Sequence, residues 1–477
     1  MTDFDASNEA GAAAIDGSDL RIIVDNGEYW LVNKGDLAML DVTVGRLGRR
    51  WPKARIGVVT YEPSLLRAYA PGAEPVAYHR GGPWPHLRRL GKVPELLGPR
   101  LVGPLSRAWR ASTRTPRRYT RRMRDTLRMI LRLRRCRIDE ECVPLPGGAP
   151  VSAALEDSAR SGHTQRVRGN MPAALSGASL VLAMGGGYLA DVDRDQAHRT
   201  LDLLEQAADR SIPTAMVGQG LGPMEDPELL ARAAAVLPKV NLIALREDRR
   251  GPELLRRLGV GPKRVLVTGD DAVELAYGMR RDQIGTGLGV CLRVGVYSPV
   301  TCEVHDTVKR VVRRCAEEIG AGLVPLIVSE YESQDRRSTL PLVQGYPLMT
   351  PPLGPYATPR QLISQVSRCR VVITGAYHAA VFALSQGIPV VGLTASRYYD
   401  DKLLGLVQMF QGGLRPVKLV PDRLEDRLTD AIRRASAEAP ARRESLRKSA
   451  YVQIQAGKQA YERIFRLVEF DQGNRRL

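Results

Sequence analysis

Short apolar runs alternate with amphipathic stretches along most of this chain. Leu20-Arg21-Ile22-Ile23-Val24 reads as a strand closed by Asp25-Asn26-Gly27. Asn33-Lys34-Gly35-Asp36 then leads into a helical pattern with apolar residues at Leu37, Met39, Leu40, Val44 and Leu47. Arg55 to Thr60 is the next strand, which completes a strand-helix-strand unit. After a long interruption the pattern resumes at Ser179–Met184 and turns through Gly185-Gly186-Gly187-Tyr188. It continues with a helix over 195–209, the strand Thr214–Val217 and the turn Gly218-Gln219-Gly220-Leu221-Gly222-Pro223. A helix over 227–237, the strand Leu242–Leu245 and a helix over 251–258 follow. A second group opens at Gly287–Leu292, with a helix over 307–319, a strand over 322–328 and a helix over 359–367.

The segment Cys369 to Lys402 ends that second group. Val371-Val372-Ile373 is an apolar strand, Thr374-Gly375 breaks it, a helix runs from His378 to Ser385, and Val390–Leu393 is another buried strand. His378 therefore stands where a parallel strand hands over to a helix, the edge at which open α/β sheets bind ligands. A histidine there either caps and packs, or holds a proton and meets an anion. Two successive groups of alternating strands and helices predict two doubly wound, Rossmann-like α/β domains facing a cleft. The expected bounds are a disordered tail over 1–19, a first domain over 20–280 interrupted at 79–170, a second over 287–420, and charged helices over 421–477.

Charge changes the picture in the interruption. The 477 residues carry a formal net charge of +18. Between Arg80 and Arg168 there are 21 Lys/Arg against 7 Asp/Glu, so this insertion holds most of the surplus. Within it Met123, Leu127, Ile130, Leu131 and Leu133 alternate with arginines, the pattern of a basic amphipathic helix. Peripheral contact of 114–137 with an anionic membrane is one reading, and an arginine-rich solvated face is the other. Nucleic acid is not expected, because Tyr119 alone among the arginines of 114–137 could stack on a base. The six cysteines form no CxxC pair, which suits reduced thiols and a cytoplasmic setting.

The candidate chemistry sits on glycine-containing turns that follow strands: Asn33–Asp36, Gly185–Tyr188, Gly218–Gly220 and Thr374-Gly375. Glycine lets backbone N–H groups approach a ligand, and a helix N-terminus favours an anion. No turn matches a dinucleotide fingerprint or a P-loop. Asp36 reads either as a base toward a sugar hydroxyl or as a carboxylate near a helix dipole. Arg246, directly after a strand, either grips a phosphate or carboxylate or pairs with Glu247 or Asp248. Lys402 neutralises a phosphate or is a surface lysine. Asp191, Asp193 and Asp195 read as a solvated loop rather than a metal site, and no metal is expected.

Taken in order, these motifs resemble the polysaccharide pyruvyl transferase family. The resemblance rests on Asn33-Lys34-Gly35-Asp36, Gly185-Gly186-Gly187 with Asp191, Gly218 to Pro223, Leu245-Arg246-Glu247-Asp248, Asp270, Tyr377-His378-Ala379, Gly387-Ile388-Pro389 and Asp401-Lys402. It implies a glycosyltransferase-B-like fold and transfer of the pyruvyl group of phosphoenolpyruvate onto two hydroxyls of a glycan or lipid-linked sugar. A ketal forms and phosphate is released, with phosphoenolpyruvate as co-substrate and no separate cofactor.

The same resemblance gives roles. His378 is the implied general acid, Arg246 the donor's anion partner and Asp36 the acceptor's base. Gly185, Gly186, Gly187, Gln219, Gly220, Gly375 and Lys402 shape the donor pocket, while Asn33, Lys34 and Tyr188 meet the acceptor. One position departs: the family carries an arginine two residues before this histidine, and here it is Ala376. Arg397, Lys402 or an arginine of the insertion is a candidate replacement. Two other readings follow from that departure, a transferase using another donor such as a nucleotide sugar, and a non-catalytic binding subunit.

Overall fold

The computed structural model describes residues 17–76, 93–113, 174–295, 298–331 and 334–476. The predicted tail up to residue 16 and the basic stretch 114–137 lie outside the described residues. The first sheet is built from β1 (Arg21–Asp25), β2 (Arg55–Val59), β3 (Glu74–Val76), β4 (Leu180–Ala183), β5 (Gly186–Leu189), β6 (Thr214–Leu221), β7 (Leu242–Leu245) and β8 (Val265–Val267). Its order is β3-β2-β1-β4-β6-β7-β8, with β5 paired to the end of β6. The second sheet, from β9 (Gly287–Cys291), β10 (Leu323–Pro325), β11 (Cys369–Thr374), β12 (Val390–Thr394) and β13 (Leu414–Lys418), has the order β10-β9-β11-β12-β13. Every strand pairing in both sheets is parallel. Parallel sheets are covered by helices on both faces, and the continuous apolar runs of β4, β7 and β12 are accordingly buried throughout.

In each sheet the strand order reverses once, between β1 and β4 and between β9 and β11. These are the topological switch points, where the loops beyond the strand ends part and leave a crevice. The two domains meet at that edge. The backbone of Asn33 bridges Ser329, Lys34 N–H donates to the Val328 carbonyl at 3.0 Å, and Glu330 N–H donates to Val32 at 3.0 Å. The helices Ala272–Gly278 and Tyr377–Ser385 pack together, and one apolar cluster runs through both domains.

The charged C-terminal stretch forms one helix, Leu424–Arg476. Its first turns bury Leu428 and Ile432 in the second domain. It then returns to the first domain, where Tyr461 and Thr43 hydroxyls lie 3.0 Å apart and Phe465 meets Trp51 edge-on at 5.0 Å. On the way Arg443 holds the interdomain linker by donating to the carbonyls of Asp282 and Gln283.

Two departures from the sequence pattern bear on function. Gly186–Leu189, expected as a turn, is the strand β5, and β6 runs on through the expected turn to Leu221. Gly186 pairs with Gln219 and Leu189 with Leu221, so pairing continues past a bend at Gly218, whose φ is +58°. The helix Arg397–Met409, capped by the Ser396 hydroxyl, was hidden by its polar opening residues Arg-Tyr-Tyr-Asp-Asp-Lys.

Candidate active site

The folding of each element aims its chemistry at one cleft. Asn33 caps the helix Lys34–Arg50, its side-chain oxygen accepting from Gly35 N–H at 2.9 Å, and this sets Asp36 in the first turn. Ala376 begins the helix Tyr377–Ser385, so His378 sits in that helix's first turn beyond β11. Arg246 leaves the end of β7, its N–H bound to the Gln219 carbonyl at 3.0 Å. Lys402 comes from the helix Arg397–Met409 beyond β12. The structure thus gathers His378, Asp36, Arg246 and Lys402 from both domains.

His378 and Arg246 are buried, and both face Asp270. His378 Nε2 lies 3.5 Å from Asp270 Oδ2, and Arg246 lies 3.9 Å from the same oxygen. Neither Nε2 nor that Oδ2 has a hydrogen-bond partner, although both are buried. They face each other as a buried ion pair at a distance long for a hydrogen bond, a loose contact that leaves both atoms able to engage another group. The Arg246 guanidinium stacks on the Tyr377 ring, 4.1 Å from its centroid. Lys402 Nζ sits 3.8 Å from the Tyr398 ring centroid and donates to the Tyr398 hydroxyl, which itself donates to the Gly187 carbonyl at 2.9 Å.

Electrostatics separate the two carboxylates. Burial alone would raise the Asp270 carboxyl, but His378 and Arg246 beside it hold it below the usual range, so it stays ionised. Burial pushes Asp36 up, with Asp270 adding to the effect and His378, Arg246 and Lys402 opposing it. Burial drives Lys402 well below the ordinary lysine range, reinforced by Arg246 and Arg293. Carboxyls pushed apart in this way suit different roles in one reaction.

The glycines divide by what a side chain would meet. A Cβ on Gly35 would lie 2.0 Å from the His378 ring, so this glycine lets the histidine of one domain rest on the other. A Cβ on Gly187 would lie 2.3 Å from Lys402 Nζ and 3.1 Å from Arg246, and one on Gly220 would lie 2.6 Å from Arg246. These two make room for the cations. Gly185 instead approaches the Gly218 carbonyl, Gly186 is covered by the Tyr188 ring, and Gly375 lies against the Arg293 backbone; all three serve packing. We expect Gly187→Ala to displace Lys402 and raise the donor's KM about tenfold or more, measured by steady-state kinetics, with the melting temperature little changed.

The structure places several of the expected contact residues on partners within the protein. Tyr188, expected at the acceptor, is buried in the first domain's core, its hydroxyl donating to the Met184 carbonyl at 2.9 Å. Gln219, expected at the donor, is fully buried and donates to Met184 at 2.9 Å and to the Tyr188 hydroxyl at 3.0 Å, pinning β6 to β4. Lys34, expected at the acceptor, is buried in the domain junction with Nζ 3.5 Å from Glu330. Asn33 spends its oxygen on the helix cap. Asp191 accepts from the N–H groups of Glu225 and Asp226, and among the described residues no group of three His, Cys, Asp or Glu converges on a metal position. Arg397, a proposed replacement for the missing arginine, is 69% exposed beside Glu225, outside the cleft.

Sequence reasoning left Arg293, Asp270, Gly35, Tyr377 and Tyr398 without a role. Arg293, just past β9, lies with its backbone and Cβ against Gly375, the residue before buried Ala376. Its guanidinium forms a two-point pair with Asp335 and approaches the Tyr399 hydroxyl at 3.4 Å. Asp270 carried a signal in its sequence, an acid directly after an apolar run, but its partners come from other elements.

A narrow pocket of roughly 20 Å³ lies between the domains beside this cluster, where the cations Arg246, Arg249, Arg250 and Lys402 share the lining with Glu247 and Asp401. Arg250 and Arg249 hold Asp401 at its rim, at 2.9 and 3.4 Å. Its cations suit a small, multiply charged anion.

The sequence model of the family described as polysaccharide pyruvyl transferase matches residues 33–397. Among solved structures, UDP-GlcNAc 2-epimerase from Neisseria meningitidis bound to UDP-GlcNAc is similar in fold, with a TM-score of 0.50 and 12% identity over 94% of this chain and 99% of that one. A putative UDP-N-acetylglucosamine 2-epimerase from Listeria monocytogenes has a TM-score of 0.48 and 11% identity over 91% of each chain. A search of curated proteins finds no match.

Proposed function

The chain belongs to the polysaccharide pyruvyl transferase family, a family of transferases, and on that premise we propose that it moves the pyruvyl group of phosphoenolpyruvate onto two hydroxyls of a sugar. The convergence of His378, Asp270, Asp36, Arg246 and Lys402 on one cleft carries this reading. Phosphoenolpyruvate is small and multiply anionic, which suits the charges of Arg246 and Lys402, and the roughly 20 Å³ pocket beside them must widen to admit it. Arg293 adds positive potential where Ala376 lacks it, partly offset by Asp335. The acceptor is a glycan or lipid-linked sugar handled on the cytoplasmic side, and no cofactor beyond the donor is needed. Among the described residues no helix is long and apolar enough to cross a membrane.

The reaction balances as follows. Protonated His378 gives its proton to the donor's methylene carbon, and the carbon–carbon double bond becomes a methyl group beside an electrophilic carbon. Asp270 supplies a counter-charge to the imidazolium. A sugar hydroxyl attacks that carbon as Asp36 takes its proton. The carbon–phosphate oxygen bond then breaks, phosphate leaves with the bonding electrons under the guanidinium and ammonium groups, and a second hydroxyl closes the ketal. Asp36 passes the first hydroxyl's proton to the departing phosphate and so returns to the carboxylate, and the second hydroxyl's proton restores His378.

This assignment fixes the pH profile. Asp36 must be ionised, and its raised pKa displaces the rising limb above the ordinary aspartate range. Lys402 must be charged and His378 must carry its proton, so the falling limb follows whichever of the two is lost first, and the depressed lysine keeps that limb below the ordinary lysine range. The expected kcat/KM profile is a bell narrower than unperturbed groups would give. Asp36→Asn should remove the rising limb, and Lys402→Arg should still leave a falling limb, because His378 must carry its proton. A direct test of the donor is phosphate release from phosphoenolpyruvate that requires a glycan; turnover of a nucleotide sugar with phosphoenolpyruvate untouched overturns the proposal.

A further inference from the structure

A second feature lies away from the catalytic cleft. The segment Val93–Thr113 bends at Gly98, where φ is +68°, and packs against the helix Pro63–Tyr69. Gly103 allows this packing to include Tyr356 of the second domain, whose ring would lie 2.3 Å from a Cβ there. One face is thereby buried through Val102. The outer face presents Leu96, Leu101 and Leu105, which are 85%, 57% and 61% exposed. Three leucines this open, close together on one segment, form an apolar tip of the kind a lone soluble surface rarely carries.

Beside that tip runs a groove of roughly 1270 Å³, between this segment and the loop and helix around 350–368. Pro104 and Tyr356 line its walls, and Arg100, Arg107, Arg360 and Arg368 reach into it. Only Arg360 has a carboxylate partner among the described residues, the exposed Asp41 at 3.1 Å. Arg107 lies over the Tyr356 ring at 5.4 Å, keeping its charge for something else. Open leucines flanked by arginines are the division of labour of a surface that lies in a bilayer interface: apolar groups enter the acyl boundary and guanidinium groups hold phosphates.

We propose that the tip of Val93–Thr113 and its arginine groove dock this protein on the surface of an anionic phospholipid bilayer. The proposal does not depend on the donor or on pyruvyl transfer. It is distinct from contact through the basic stretch 114–137, because the apolar tip and the groove exist without it. A bilayer fits better than an acidic protein segment, because the leucines project outward from the groove rather than lining it.

The test is co-sedimentation of the full chain with vesicles of phosphatidylcholine alone or mixed with phosphatidylglycerol. Wild type should bind the mixed vesicles and not the neutral ones. Leu101→Glu with Leu105→Glu should lower partition about tenfold or more, and Arg100→Ser with Arg107→Ser should lower it and flatten its salt dependence. Both pairs should keep the wild-type melting temperature and donor affinity. The proposal is overturned if wild type stays in the supernatant, if both variant pairs sediment like wild type, or if only neutralising the arginines of 114–137 abolishes binding.

Discussion

His378→Gln is expected to lower kcat by roughly 10²–10⁴-fold while leaving phosphoenolpyruvate affinity and the melting temperature close to wild type. The expectation rests on geometry. The ring is buried, rests on Gly35 of the opposite domain, and points Nε2 at an ionised Asp270 with no competing hydrogen bond. Glutamine fills a similar space and cannot deliver a proton to carbon. A packing histidine would behave differently, losing stability with little change in turnover. Single-turnover measurement with saturating donor separates the two outcomes, and activity within tenfold of wild type would remove His378 from the acid role. Running the wild-type reaction in deuterated water should place one deuterium on the ketal methyl group.

Arg246→Lys is expected to cut kcat/KM by roughly a hundredfold, largely through the donor. Arg246 is held from three sides, by the Tyr377 ring, by Asp270 and by space that Gly220 leaves open. Lysine retains the charge but presents one point where the guanidinium offers two parallel donors and a stacking face. The residue is buried and stacks on Tyr377 of the other domain, so a fold control is needed: the variant should melt within a few degrees of wild type, since lysine keeps the charge beside Asp270. Isothermal titration with phosphoenolpyruvate reads the loss. Unchanged donor affinity would mean that Arg246 orders the cleft without touching the ligand.

The α/β alternation and the position of His378 were legible because they depend on local pattern. Buried parallel strands such as Val390–Thr394 are uninterrupted apolar runs, and glycine turns at their ends mark the cleft edge. Tyr188 misled because it follows three glycines yet folds back over one of them, Gly186, and over Gly27, a consequence of β5 pairing with β6 that no local pattern announces. Lys34 misled for a related reason: a lysine in a helix's first turn looks exposed until a second domain covers it. Asp270 and Arg293 acquire meaning only through partners far along the chain. Ala376 drew attention as a missing charge, while Arg293, more than eighty residues earlier in sequence, packs its backbone against the neighbouring Gly375.

Residues that set the cleft are also those with least freedom to change. Gly35 and Gly187 admit no side chain without displacing His378 or Lys402, and the long helix Leu424–Arg476 ties both domains around them. That strap positions the two halves of the site, so kinetic variants should be compared in the full chain.

The central claim is that the pyruvyl carbon skeleton passes from phosphoenolpyruvate to a sugar. The most direct measurement follows the carbon itself: the full-length protein is given phosphoenolpyruvate labelled with carbon-13 at its second carbon, together with free or lipid-linked envelope glycans. The product is read by carbon NMR. The account predicts the label in a ketal carbon bonded to two oxygens of one sugar, formed in step with phosphate release and absent with His378→Gln. Label that stays in phosphoenolpyruvate while the glycan gains a sugar from a nucleotide donor would contradict it.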